Sequence, residues 1–200
     1  MKTRELAIAG AWEITPEIHT DSRGAFFEWF TDASFTAVTG HRLDLRQANC
    51  SVSNAGVLRG VHFAQLPPGQ AKYVTCVRGS VLDVVVDIRM GSPTFGAWEA
   101  SILDDTTHRA VYISEGLGHA FLALQDDSTI AYLCSAAYDP AREYTINPLD
   151  PELGIDWPYD GELTLSDRDR DAPTLEEARA QGLLPTWAQT RAFVDELRGR

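Results

Sequence analysis

Cysteine, basic charge and long apolar runs are all scarce in this chain of 200 residues. Cys50, Cys76 and Cys134 are odd in number, widely spaced and without a C-x-x-C pair, which argues against a disulfide framework and against a zinc knuckle. A reducing, cytoplasmic setting is expected. Seventeen Lys and Arg stand against 29 Asp and Glu, giving a formal net charge of −12. Phosphate-rich surfaces would repel such a protein, so neither nucleic acid nor a membrane surface is an expected partner, and any anionic small ligand needs a local cluster of cations. No apolar stretch approaches membrane-spanning length, and the N-terminus runs from Met1-Lys2-Thr3-Arg4-Glu5 into a mixed segment without a signal-peptide core. Internal repeats, low-complexity tracts and long linkers are also missing.

What is present is a hydrophobic fraction of 44 %, enough for one well-buried core and a single domain. Val74–Ile88 carries the clearest strand signal, with Leu82, Val84, Val86 and Ile88 on one face, Val81, Asp83, Val85 and Asp87 on the other, and a turn at Arg78-Gly79-Ser80. Shorter β-rich runs follow at His108–Ile113, His119–Leu124 and Thr129–Ser135, separated by turn-like Ser114–Gly116 and Gln125–Ser128. Many short strands with tight turns point to an antiparallel sandwich or barrel. Helices are expected only at the edges. One covers Asp32–Thr39 and stops at Gly40; two more follow Pro173, where Thr174 with Glu177 and Thr186 with Gln189 have capping-box spacing. The Pro-rich Asn147–Pro158 reads as an ordered loop.

Chemistry concentrates at Gly56–Phe63 and Lys72. Arg59, His62 and Lys72 lie beside an alternating apolar run, an arrangement able to set a proton-transfer group and two cations in the mouth of a barrel. A single histidine in a β-rich protein is more often structural, and the cations could equally belong to a solvated rim. If Thr129–Tyr138 is extended throughout, Tyr132, Cys134, Ala136 and Tyr138 share one face, which by pattern alone favours core packing over an acid and a stacking surface. The glycines of Gly116-Leu117-Gly118-His119 permit close backbone approach to a ligand, or mark a simple turn. Asp167–Asp171 alternates in charge like a solvated loop, although folding back would let Asp169 orient His62.

Taken together, the blocks D-S-R-G-A-F-F-E (Asp21–Glu28), Q-A-N (Gln47–Asn49), G-V-L-R-G-V-H (Gly56–His62), Q-A-K-Y-V (Gln70–Val74), the run Asp83–Gly96, G-L-G-H-A-F (Gly116–Phe121) and Y-L-C-S-A-A-Y (Tyr132–Tyr138) resemble the dTDP-4-dehydrorhamnose 3,5-epimerase family from about Asp21 to Pro185. The resemblance implies a mainly β, cupin-type jelly-roll barrel with short peripheral and C-terminal helices, usually a homodimer. It also implies cofactor-independent epimerisation of a dTDP-4-keto-6-deoxyhexose beside its C4 ketone. His62 then looks like the base, Tyr132 the acid, Asp169 the partner of His62, and Lys72 the group that stabilises charge near the C4 oxygen. Arg23, Glu28, Gln47, Asn49, Arg59, His119, Glu143 and Arg168 look like substrate-binding positions and Tyr138 like a stacking surface for thymine, with the N-terminal residues serving a partner subunit. No metal is implied.

The chain departs from the family where Tyr132-Leu133-Cys134-Ser135 replaces Tyr-Lys-x-Thr, at Arg168 in place of a common Lys, and at Ala48 in place of an acidic residue. Its Y-L-C-S form, with S-D-R-D at Ser166–Asp169 and G-L-L-P at Gly182–Pro185, is more similar to epimerases of antibiotic deoxysugar pathways, some of which invert one centre. Rival readings are a metal-dependent cupin, a dTDP-sugar 3,4-ketoisomerase and a non-catalytic nucleotide-sugar binder. The first lacks its His-x-His pair at His62-Phe63-Ala64 and meets Pro67-Pro68-Gly69 where a Glu ligand is expected.

Overall fold

In a computed structural model that describes residues 1–199, strands dominate and the few helices sit outside them. The strands are β1 (Lys2–Glu5), β2 (Ala11–Thr15), β3 (Ile18–Asp21), β4 (Gly24–Phe27), β5 (Gln47–Ser53), β6 (Leu58–Ala64), β7 (Lys72–Arg78), β8 (Ser80–Val86), β9 (Trp98–Asp104), β10 (Ala110–Ile113), β11 (Gly118–Ala123), β12 (Ser128–Cys134) and β13 (Glu143–Thr145). The helices are α1 (Asp32–Thr39), α2 (Asp167–Arg170), α3 (Leu175–Ala180) and α4 (Trp187–Arg198). A six-stranded sheet runs β1-β2-β10-β7-β12-β5, a five-stranded sheet runs β13-β6-β11-β8-β9, and β3 and β4 form a separate hairpin. The two large sheets face each other as the expected jelly roll.

Three apolar layers follow from strand alternation. Between the sheets, Val74, Cys76, Val81, Val85, Phe121 and Ile130 fill one end of the barrel. Behind the five-stranded sheet, Leu82, Val84, Val86, Ala120 and Leu122 meet Leu153, Leu175, Ala178 and Leu184 from the C-terminal segment. Behind the six-stranded sheet, Tyr73, Tyr112 and Leu133 pack under Phe35 of α1. β8 is therefore buried on both faces along its whole length. The helices cover the barrel as the sequence implied: α1 ends at Gly40 (φ 81°), and α3 and α4 both open on complete capping boxes.

Two expectations are corrected. β12 stops at Cys134, so Ala136 and Tyr138 lie beyond the strand and do not continue its inward face. Ser135 turns aside because its hydroxyl accepts the Ala71 amide and donates to the buried Glu115. Gly116 and Gly118 do allow close approach, but to the protein itself: an added Cβ would lie 2.6 Å from Thr190 Oγ1 and 2.6 Å from Val61 Cγ1 respectively.

Gly60 has a different task. The pairing of β6 with β11 slips by one residue between His119/His62 and Phe121/Arg59, so β6 carries a bulge. In a regular strand Arg59 and His62, three apart, would face opposite ways. With the bulge, Leu58, Val61 and Phe63 all reach the outer apolar layer, and Arg59 and His62 share the inner face. Gly60 has φ 122°, and a Cβ there would sit 2.5 Å from Ala120 Cβ and 2.6 Å from the His119 carbonyl oxygen. Gly60→Ala is therefore expected to lower stability by roughly 3 kcal/mol, measured by denaturant unfolding. An unchanged midpoint would show that the bulge tolerates a side chain.

Candidate active site

At the end of the barrel opposite the apolar filling, the inward positions become polar. The five-stranded sheet contributes Arg59 and His62 from β6, His119 from β11 and Glu143 from β13; the six-stranded sheet contributes Gln47 and Asn49 from β5, Lys72 from β7 and Tyr132 from β12. Register explains the clustering. His62 lies opposite His119, Tyr132 opposite Asn49, and Cys134 opposite both Lys72 and Gln47.

His62 keeps 32 % of its side chain exposed, whereas Asp169 is almost fully covered. The imidazole Nε2 and Asp169 Oδ1 are 2.7 Å apart across 107 residues of sequence. Asp167–Asp171 is thus solvated as expected except at Asp169, but Asp167–Arg170 is helical rather than a loop. Ser166 caps a short helix by accepting the Asp169 amide, and the helix turns Asp169 onto His62. Burial opposes the Asp169 charge, but hydrogen bonds from His62 and Ser166 outweigh it and hold the carboxyl below its usual range. Desolvation, aided by the Lys72 charge, lowers the His62 pKa against the opposing pull of Asp169. The pair is an ionised carboxylate with a neutral imidazole. Because a carboxylate only accepts, the ring proton is on Nε2 and the free lone pair is on Nδ1.

A second pair stands beside it. His119, 7 % exposed, places Nε2 2.7 Å from Oδ2 of Asp83, a buried residue whose Oδ1 has no partner. Asp83 was visible only as one charge in the apolar alternation of β8, and sequence reasoning gave it no role. Burial lowers the Lys72 pKa, with Glu143, Cys134 and Asp83 opposing the shift. Desolvation raises both Tyr132 and Glu143, the latter against the attraction of Lys72 and Arg168. Tyr132 is accordingly a protonated phenol at neutral pH.

Towards the rim, Gln47 donates to Asn49 Oδ1 at 2.7 Å and accepts the Tyr138 amide at 2.9 Å. Asn49 Nδ2 lies 3.7 Å from Cys134 Sγ. Arg59 Nε donates to Ser53 Oγ at 3.2 Å, and Arg168 donates to the Glu143 carbonyl at 2.9 Å. Tyr138, 55 % exposed, borders a cleft of about 360 Å³ with Gln65, Gln70, Arg142 and Glu143. Arg23 and Glu28 are not brought to this cavity. Both are exposed on or just after the β3–β4 hairpin, where Arg23 pairs with Asp21 at 2.6 Å. Among the described residues, no group of three His, Cys, Asp or Glu side chains is placed to hold a metal ion.

The model of the dTDP-4-dehydrorhamnose 3,5-epimerase family matches residues 5–177. The chain belongs to that family. It is 70 % identical to the dTDP-4-dehydrorhamnose 3,5-epimerase of Mycolicibacterium smegmatis, over 99 % of this chain and 98 % of the relative. The structure superposes on the Mycobacterium tuberculosis rmlC epimerase with a TM-score of 0.97 at 65 % identity, covering 98 % of this chain and 100 % of the other. It superposes on ChmJ, a 3'-monoepimerase from Streptomyces bikiniensis in complex with dTDP-quinovose, with a TM-score of 0.95 at 53 % identity, covering 98 % of each chain. Proteins named as an rmlC epimerase and as a 3'-monoepimerase thus share this architecture.

Asp169→Asn preserves shape and removes the charge that fixes the His62 tautomer, so kcat should fall by about 10²- to 10⁴-fold. Because the folded-state pKa of Asp169 is depressed, its contribution to stability is full above the ordinary value of 3.8 and is lost as pH falls through the depressed one. Urea unfolding of the variant across the acid range should show a correspondingly flatter pH dependence. A variant with wild-type kcat would remove Asp169 from the chemistry.

Proposed function

We propose that this epimerase inverts a dTDP-4-keto-6-deoxyhexose at C3 and C5, without a cofactor, by proton removal and return beside the C4 ketone. The observation that carries the reading is the opposition of a neutral imidazole and a protonated phenol on facing sheets: His62 from β6, Tyr132 from β12. Inversion requires removal from one face of a ring and delivery to the other. His62 Nδ1 takes the proton, and the C–H electron pair moves into an enolate whose charge rests on the C4 oxygen. Lys72 stabilises that oxygen, His119 lines the substrate site beside it, and Tyr132 reprotonates the opposite face. Asp169 holds the tautomer and favours the imidazolium formed on abstraction. Neither redox change nor an external group is needed.

Arg59, Arg168 and Arg23 meet the diphosphate, a local cationic cluster in an acidic protein. Glu28, Gln47, Asn49 and Glu143 hydrogen-bond the remainder of the substrate, and Tyr138 stacks on thymine. Inversion at both centres is favoured by the 70 % identical relative named as a 3,5-epimerase. The ChmJ likeness keeps single inversion at C3 as the second reading.

The active unit is a homodimer in the cytoplasm. β3 and β4 pair only with each other, Phe26 is 67 % exposed, and Val52 and Val77, 59 % and 51 % exposed, lie on the six-stranded sheet. A two-stranded hairpin is marginal alone, and a second copy would cover it while receiving Arg23 and Glu28. Sedimentation should show dimers, and Phe26→Asp should shift them to monomers with at least about tenfold lower kcat/KM. A fully active wild-type monomer would refute the shared site.

In deuterated water, dTDP-4-keto-6-deoxyglucose should acquire label at C3 and C5 with inversion at both, read by NMR after trapping with a 4-ketoreductase. Label and inversion at C3 alone would establish a monoepimerase. A moved ketone would identify a ketoisomerase, and binding without exchange a non-catalytic binder. His62→Ala should abolish exchange while retaining dTDP binding, whereas Tyr132→Phe should retain exchange better than completed inversion. Equal exchange in His62→Ala, or unimpaired inversion in Tyr132→Phe, would overturn the respective role.

A further inference from the structure

Beside His62 lies a residue that neither the sequence motifs nor the mechanism above employs. Val61 and Ile146 exchange both backbone hydrogen bonds at 2.9 Å, and the next pair between β6 and β13 is His62 with Thr145. It is therefore a non-hydrogen-bonded pair, the kind in which facing side chains approach most closely. Phe63 and Tyr144, one position away, pack at a tilt on the outer face with ring centroids 5.6 Å apart. Alternation places Thr145 on the inner face with His62. Thr145 is 7 % exposed, and its Oγ1 is buried without a hydrogen-bond partner. Valine would fill this strand position with nearly the same shape and no orphaned hydroxyl.

The inventory of groups around His62 gives that hydroxyl a use. Asp169 of α2 accepts Nε2–H, while Lys72 of β7 and His119 of β11 act against positive charge on the ring. Glu143, two residues before Thr145 on the same face of β13, is drawn electrostatically to Lys72 and Arg168. Once His62 has taken up a proton and the enolate has been reprotonated from its opposite face, Nδ1–H is a second donor with no carbanion left to hold it. Lys72, as an ammonium, has no lone pair to offer it, His119 Nε2 is engaged with Asp83, and the unpartnered Asp83 Oδ1 belongs to β8, two strands away from β6. The Thr145 hydroxyl, by contrast, is an unengaged acceptor.

We propose that Thr145 is a positioning residue for the His62 base: its branched side chain restrains the imidazole, and its hydroxyl accepts a hydrogen bond from the imidazolium formed on proton abstraction. The proposal rests on the assignment of His62 as the base. It concerns the protonated form of that group, so its consequences fall on turnover and pH dependence rather than on substrate affinity.

The test compares Thr145→Val and Thr145→Ser with wild type for kcat, KM, the pH profile of kcat/KM and thermal midpoint, alongside C3 exchange in His62→Ala. Loss of one hydrogen bond to a charged group is expected to lower kcat by roughly 10- to 100-fold in Thr145→Val, with KM within about twofold. Removing an acceptor from the imidazolium disfavours it, so the acid limb should move to lower pH. Thr145→Ser should restore both, and the valine variant should melt no lower than wild type. Unchanged kcat in Thr145→Val, a loss that serine does not restore, or a loss accompanied by a lowered midpoint and an unmoved acid limb would overturn the proposal. Persistent exchange in His62→Ala would instead overturn the base assignment, whatever Thr145→Val does.

Discussion

The hydrogen bond between His62 and Asp169 is the constraint around which the rest of the molecule is arranged. It joins a strand in the first third of the chain to a four-residue helix near its end, and it sets which imidazole nitrogen is free. To present His62 inward together with Arg59, β6 must bulge at Gly60, and β11 must pass close enough to exclude any side chain there. To present Asp169, Ser166 must cap a helix too short to persist alone. The C-terminal segment holds that helix in place by packing Leu165, Leu175 and Leu184 on the outside of the five-stranded sheet. Outer packing and inner chemistry are thus two faces of the same strands.

Much of this was legible in the chain. The alternation of β8, the turn at Gly79 and the helix caps at Thr174 and Thr186 are local signals, and local hydrogen bonding decides them. The clustering of Arg59, His62 and Lys72 was readable as a pattern, and the ordered motifs extended it to Tyr132 and Asp169. What failed depended on contacts between distant residues. Nothing near Ala136 announces that β12 ends at Cys134; Ser135 is pulled aside by Ala71 and Glu115, 64 and 20 residues away. Asp83 could not be assigned because its partner arrives from β11, and Thr145 drew no reading at all until register set it against His62. Gly60 belonged to a motif, but its bulge became visible only with pairing.

The electrostatics follow one rule with different outcomes. Burial disfavours charge at His62, Lys72, Tyr132, Glu143 and Asp169 alike, yet Asp169 remains ionised because His62 and Ser166 supply hydrogen bonds. Tyr132 has too little compensation to ionise and so retains its proton. The same desolvated interior therefore keeps the His62 imidazole free of a proton and the Tyr132 phenol in possession of one, the condition that the proposed transfer across a bound ring requires.

Just beyond β8, the buried guanidinium of Arg89 is held by both oxygens of Asp87 at 2.8 Å, donates to the Ala9 carbonyl at 2.9 Å and lies 4.5 Å over the ring of Trp187. One side chain therefore ties together the beginning, middle and end of the polypeptide. During synthesis the strands around Arg89 emerge long before Trp187 exists, so a nascent chain carries Arg89 with one side uncovered. Asp169 arrives late as well. The barrel can pair its strands as they leave the ribosome, but His62 waits for α2 and Arg89 for α4 before their partners are complete.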